Sequence, residues 1–84
     1  AKIQYINDSL KSVKKEMLLI KESIAIKEEL RKSAKKAYLL GVMSVDDYLK
    51  YEDDLYMQKA KLANLIAVKN SLLAQKAVIY GKNL

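Results

Sequence analysis

Carboxylates are the side chains of this 84-residue sequence that could suggest catalysis or a hard-cation site, because it contains no His and no Cys. Imidazole and thiolate ligands, disulfides and the commonest general base are therefore excluded. Two groupings of acidic residues could suggest such chemistry, Glu28–Glu29 and residues 52–54. Consecutive helical residues point about 100° apart, so these carboxylates do not converge on one ion. We interpret both groups as solvated helix faces.

Other motifs that carry chemistry are absent from the sequence. It has no Gly-rich phosphate loop, no GxSxG elbow and no HExxH pair. Six tyrosines could stack on nucleic-acid bases, but the spacing of Tyr48, Tyr51 and Tyr56 fits helix packing with hydroxyls reaching water. We expect no enzyme, no cofactor and no metal site.

The net charge is +6, and it is unevenly distributed. Residues 1–40 carry a net +5, residues 41–60 a net −3 and residues 61–84 a net +4. A basic coiled-coil arm that binds nucleic acid is one reading of this pattern. A solvated lysine-rich surface is the favoured one, since Arg31 is the only arginine, so no nucleic-acid partner is expected.

The first half of the chain has the pattern of a coiled-coil helix. Apolar residues recur at alternating three- and four-residue steps: Ile3, Ile6, Leu10, Val13, Met17, Ile20 and Ile24. The same steps then reach Lys27 and Arg31, while Ile26 and Leu30 open a second apolar line beside them. We expect the contact face to rotate or widen towards the middle of the chain.

Helix stop and start signals meet at the centre of the sequence. Gly41 can take the left-handed conformation that ends a helix. Ser44 is a good N-cap with Asp47 three residues later. The prediction is a single unit, residues 1–84, with a helix over about 2–40, a turn over about 41–44 and a helix over about 45–80. A turn this short makes the two helices antiparallel.

The second helix has two apolar faces. Bulky residues form one line: Tyr48, Tyr51, Leu55, Leu62, Leu65, Leu72 and Ile79. Small residues form the other: Ala60, Ala63, Ala67, Ala74 and Ala77. A helix in a hairpin has only one partner, so the surplus face needs another hairpin or another copy. We therefore expect a piece of a larger assembly that self-associates when isolated.

The central stretch AYLLGVMSVDDYL, residues 37–49, resembles the hairpin tip of TolC-family outer-membrane channels, whose pattern is about A-Y-x-x-G-x-x-S/T-x-x-D-V-L. Downstream, periodic Leu and Ala residues and a closing glycine are similar to the family's returning helix: Leu55, Ala60, Leu62, Ala63, Leu73, Ala77 and Gly81. The resemblance covers the second half well, and the first half as a compatible coiled-coil arm. It implies an all-α, two-helix coiled-coil hairpin from the periplasmic α-barrel of a trimeric export channel in a Gram-negative envelope.

The resemblance also implies partners and site residues. Residues matching Gly41, Val42 and Ser44 would meet the hairpin tips of a membrane-fusion adaptor, while those matching Tyr38 and Asp47 would close the entrance or select cations. Neighbouring hairpins of a homotrimer would be direct partners, and an inner-membrane transporter an indirect one, in drug efflux or type I secretion. Met43 and Lys50 depart from the family's closing network, where an arginine and a second aspartate can occur. A generic coiled-coil assembly module, or the adaptor's own hairpin, is the remaining alternative.

Overall fold

Two long antiparallel helices make up the protein in this computed structural model, which describes residues 2–82. Helix α1 spans Lys2–Leu39 and helix α2 spans Val45–Lys82. They form a rod of 65 × 15 × 14 Å. Within residues 2–82 every regular element is helical, which confirms the predicted all-α hairpin. The break between the helices covers residues 40–44, compared with the predicted 41–44.

The end of α1 is a Schellman motif. The Val42 N–H donates to the Ala37 carbonyl (2.9 Å), and the Gly41 N–H donates to the Tyr38 carbonyl (3.0 Å). Gly41 has a φ of 77°, so the predicted left-handed residue is confirmed. These bonds satisfy carbonyl groups that the helix end would otherwise leave unpaired.

The start of α2 is capped by a side chain. The Asp47 N–H donates to Ser44 Oγ (3.1 Å), which confirms Ser44 as the N-cap. Asp46 and Asp47 place negative charge in the first turn, where the helix dipole is positive. Local chemistry alone is enough to reverse the chain here.

The core is a thin line between the two helices. Its densest part lies at the open end, where Ile6, Leu10 and Leu72 pack together with Val13 and Ile79 against them. Among the other residues whose burial the structure describes, only Met17, Ala34 and Leu55 are as buried. Each buried aliphatic side chain contributes roughly 1.5–3 kcal/mol. With so few buried side chains, the isolated hairpin has only marginal stability.

The predicted rotation or widening of the α1 contact face to include Ile26 and Leu30 is wrong. Lys27 and Arg31 are partly buried against α2, whereas Ile26 and Leu30 are exposed. The inner face of α1 keeps its three- and four-residue steps as far as Ala34, which is buried again. It can do so because α2 supplies acidic partners for both cations at this height.

Candidate functional site

The tip of the hairpin exposes a group of apolar side chains, here called the tip patch: Leu39, Leu40, Val42, Val45 and Leu49. Leu40 and Val42 are 79% and 77% exposed. These side chains all lie at the same end of the rod, because α1 ends at Leu39 and α2 begins at Val45. Clustered exposed apolar residues of this kind mark interaction surfaces.

The three residues predicted to dock a partner differ in what they can offer. Gly41 serves the turn through its positive φ, and the Ser44 hydroxyl is engaged with the Asp47 N–H. Val42 uses only its backbone in the turn, so its side chain is available to a partner. Sequence reasoning missed the contribution of Leu40 and Leu49, although both lie inside the motif.

The two residues predicted to act at an entrance are held by different neighbours. The Tyr38 ring stacks on the Tyr48 ring of α2, with centroids 5.3 Å apart and planes 8° apart. Asp47 lies near Lys50, with an Oδ1–Nζ distance of 3.4 Å. Within residues 2–82 no hydrogen bond joins Tyr38 to Asp47. In the single hairpin, therefore, Tyr38 holds the two helices together and Asp47 remains exposed.

A polar network lies just below the stacked tyrosines. The Tyr48 hydroxyl donates to Glu52 Oε1, and the Arg31 guanidinium lies 3.4 Å from the same oxygen. The hydrogen bond from Tyr48, followed by the hydrogen bond from Arg31 and the Arg31 charge, lowers the pKa of the Glu52 carboxyl. The hydrogen bond to Glu52 raises the pKa of the Tyr48 hydroxyl. Arg31 Nε is buried and has no hydrogen-bond partner in the described part of the chain.

Two more ion pairs join the helices along the same stretch. Lys27 Nζ lies 2.7 Å from Asp54, and Lys59 Nζ lies 3.5 Å from Glu28. Asp54, Glu28 and Glu52 remain 58%, 43% and 36% exposed, so the acidic groups are solvated as predicted, but the prediction did not include their pairing with cations of the other helix. The sequence contained enough information to predict this pairing, because a chain that folds back at residue 41 places its inner-face cations opposite residues 52–54.

An open groove of about 350 Å³ is lined by Met43, Asp47, Lys50, Tyr51 and Asp54. Across residues 2–82 no three acidic side chains gather closely enough to hold a metal ion. Over the same range, neither helix has a stretch apolar enough to cross a membrane.

Comparisons of the chain with protein-family models, with curated proteins and with solved structures find no match.

Proposed function

We propose that this chain is a periplasmic hairpin of a TolC-like outer-membrane export channel, where it forms part of the duct wall and docks a membrane-fusion adaptor through its tip. The observation that carries this proposal is the tip patch. Its side chains lie at the extreme end of a 65 Å rod and are exposed there. An apolar end is costly to leave in water and is suited to meeting another apolar end.

The residues of the turn support the same role because folding does not use all of them. The Schellman hydrogen bonds and the Ser44 cap come from backbone groups and one hydroxyl. The side chains of Val42 and Leu40 are needed neither by these bonds nor by the buried core. Apolar side chains that the fold does not require, at the place where the TolC-like motif lies, favour recognition of a partner.

The exposed apolar faces along the rod support the proposed role in the duct wall. Leu55 and Leu72 are buried against α1, whereas Ala60, Ala63 and Ala67 remain exposed on another side of α2. A wall of helices covers each member on two sides, so a helix with two apolar faces suits it. Neighbouring hairpins of a homotrimer are the proposed partners there, and the inner-membrane transporter would act through the adaptor.

The test replaces Val42 with Asp in the full-length parent protein. We expect helicity and trimer formation to be unchanged and adaptor docking and export to be lost, because a charge in an apolar contact stays unpaired. Asn7→Asp is the matched control, since it adds the same charge at an exposed position of α1 near the opposite end of the rod and away from the Ala60, Ala63 and Ala67 face. Adaptor capture by the purified trimer and export from cells are the two measurements.

Two results would overturn the docking role. Normal export from the Val42→Asp protein would show that the tip patch does not bind the adaptor. Loss of helicity would show that Val42 serves the fold instead. The parent sequence offers a separate check on the duct: β-strands on both sides of the hairpin support a channel, and lipoyl-like halves would identify an adaptor.

A further inference from the structure

The net positive charge lies in the half of the rod that is farther from the turn. This open half consists of residues 2–21 of α1 and 63–82 of α2, and it contains eight lysines and two carboxylates. Residues 22–62 contain eight basic and eight acidic side chains, so their net charge is zero. The five ion pairs among the described side chains all lie within residues 27–59. The charge of the open half is therefore not balanced inside the hairpin.

One side of the open half combines lysines with exposed apolar residues. Glu28 of α1 pairs with Lys59 of α2, so these two residues mark one side of the rod. Residues at seven-residue intervals along either helix stay on the same side. Counting in sevens from this pair into the open half gives Lys21 and Lys14 on α1, and Ile66, Leu73 and Tyr80 on α2.

A groove between the two helices lies on this side. It has a volume of about 370 Å³ and is lined by Lys14, Met17, Leu18, Lys21 and Lys69. Lys69 is partly buried, yet it forms no ion pair among the described side chains. The partly buried cations nearer the tip, in contrast, each have a carboxylate on the other helix. The groove therefore gathers three ammonium groups around apolar side chains, with no carboxylate of the hairpin to neutralise them.

Two more lysines belong to the same surface. Lys11 lies seven residues before Leu18, and Lys76 Nζ lies 5.8 Å from the centre of the Tyr80 ring. The two carboxylates of the open half, Asp8 and Glu16, occupy other rows of α1. The surface, here the basic face, consists of Lys11, Lys14, Leu18, Lys21, Ile66, Lys69, Leu73, Lys76 and Tyr80.

We infer that the basic face binds the surface of a membrane that contains anionic phospholipid. A cluster of five lysines is suited to the phosphate groups of such a surface, because long lysine stems let the ammonium groups reach them. Leu18 and Tyr80 are 60% and 52% exposed, so they can enter the headgroup region, where tyrosine is favoured. Apolar side chains among the lysines favour lipid over nucleic acid, since phosphate contacts need only the charges. Membrane binding by the hairpin does not depend on export.

A tryptophan reporter tests which side of the rod meets the lipid. The sequence has no Trp, so Leu18→Trp and Leu19→Trp each introduce one fluorophore. Leu19 is 57% exposed, about as much as Leu18, but points about 100° away and lies outside the basic face. With vesicles of phosphatidylglycerol and phosphatidylcholine, tryptophan emission should shift to the blue at position 18 and stay unchanged at position 19. Equal shifts at both positions, or no shift at position 18, would overturn the inference.

A pair of double variants tests the lysines. Lys14→Gln with Lys21→Gln removes two charges from the basic face and leaves the partly buried Lys69 in place. Each substitution should weaken vesicle binding about fivefold, measured by co-sedimentation. Lys15→Gln with Lys36→Gln is the matched control, since it removes the same charge at exposed positions outside the basic face. It should bind almost as tightly as the unmodified chain, and equal weakening of both variants would show that net charge alone drives binding. Circular dichroism checks that the helices are intact in each variant.

Two further ligands identify the chemistry of the partner. Vesicles of phosphatidylcholine alone should not bind, and added salt should weaken binding to the anionic vesicles. Equal binding to both kinds of vesicle would show that the lysines are not the contact. Binding to duplex DNA at concentrations at which the anionic vesicles stay unbound would assign the basic face to nucleic acid and overturn the membrane proposal.

Discussion

Gly41→Ala and Gly81→Ala should change the stability of the hairpin in opposite directions. A Cβ added at either glycine meets no atom within 4 Å, so neither substitution creates a steric clash. The difference lies in the backbone. Gly41 has a φ of 77°, whereas Gly81 lies within α2 and has no positive φ.

The expected magnitudes follow from these two conformations. An L-residue in the left-handed region destabilises the folded state by about 1–2 kcal/mol. Alanine also lowers the conformational entropy of the unfolded chain, which offsets about 0.4–1 kcal/mol of that cost. Gly41→Ala should therefore destabilise the hairpin by about 1 kcal/mol, and Gly41→Asn by less, since Asn tolerates this conformation. Gly81→Ala should stabilise it by up to about 1 kcal/mol through helix propensity, reduced because Gly81 lies next to the end of α2 at Lys82.

The assay is urea unfolding followed by far-UV circular dichroism, with all variants at one protein concentration because association also adds stability. For a domain of this size, about 1 kcal/mol corresponds to about 4–8 °C in Tm, which thermal unfolding resolves easily. A Gly41→Ala protein as stable as the unmodified chain would refute the left-handed turn. Equal destabilisation by both alanines would refute the argument that φ decides the sign.

The inner-face charges give two further predictions. Replacing both Arg31 and Glu52 with Met should stabilise the hairpin by about 1 kcal/mol in urea unfolding, because it removes the desolvation cost of two charges, including an Nε with no partner in the described residues, and adds apolar contact. Arg31→Met alone should destabilise it, since it removes the cation beside Glu52; a double variant less stable than Arg31→Met would contradict this. The lowered pKa of Glu52 means that its contribution to stability is present above its ordinary value of 4.5 and is lost as pH falls through the lowered value. Stability should therefore decline in acid, and Glu52→Gln should make that decline shallower; an unchanged pH profile would show that Glu52 is not the group responsible.

The inner face illustrates where sequence reasoning stops. Lys27 and Arg31 stand at correctly spaced inner positions, yet the apolar residues beside them predicted a rotated contact face. Whether a cation stays at such a position depends on what the other helix places opposite it. Asp54 and Glu52 are more than twenty residues away along the chain, and only the height of one helix against the other brings them within 4 Å.

The candidate site likewise has features that the sequence predicts and features that only the folded hairpin shows. The positions of Gly41, Val42 and Ser44 in a turn were readable from residue types. The stacking of Tyr38 on Tyr48 and the separation of Tyr38 from Asp47 were not, since both depend on how the returning helix is rotated about its axis. The exposure of Leu40 and Val42 likewise depends on where the two helices stop touching.

By itself the sequence determined the helical character of both arms, the position of the reversal and the presence of more apolar faces than one hairpin can cover. These follow from interactions within one helical turn, from the φ that Gly41 permits and from counting apolar faces. The tertiary structure alone decided which charges pair and which tyrosines stack. These depend on the relative height and rotation of α1 and α2, which no local pattern encodes.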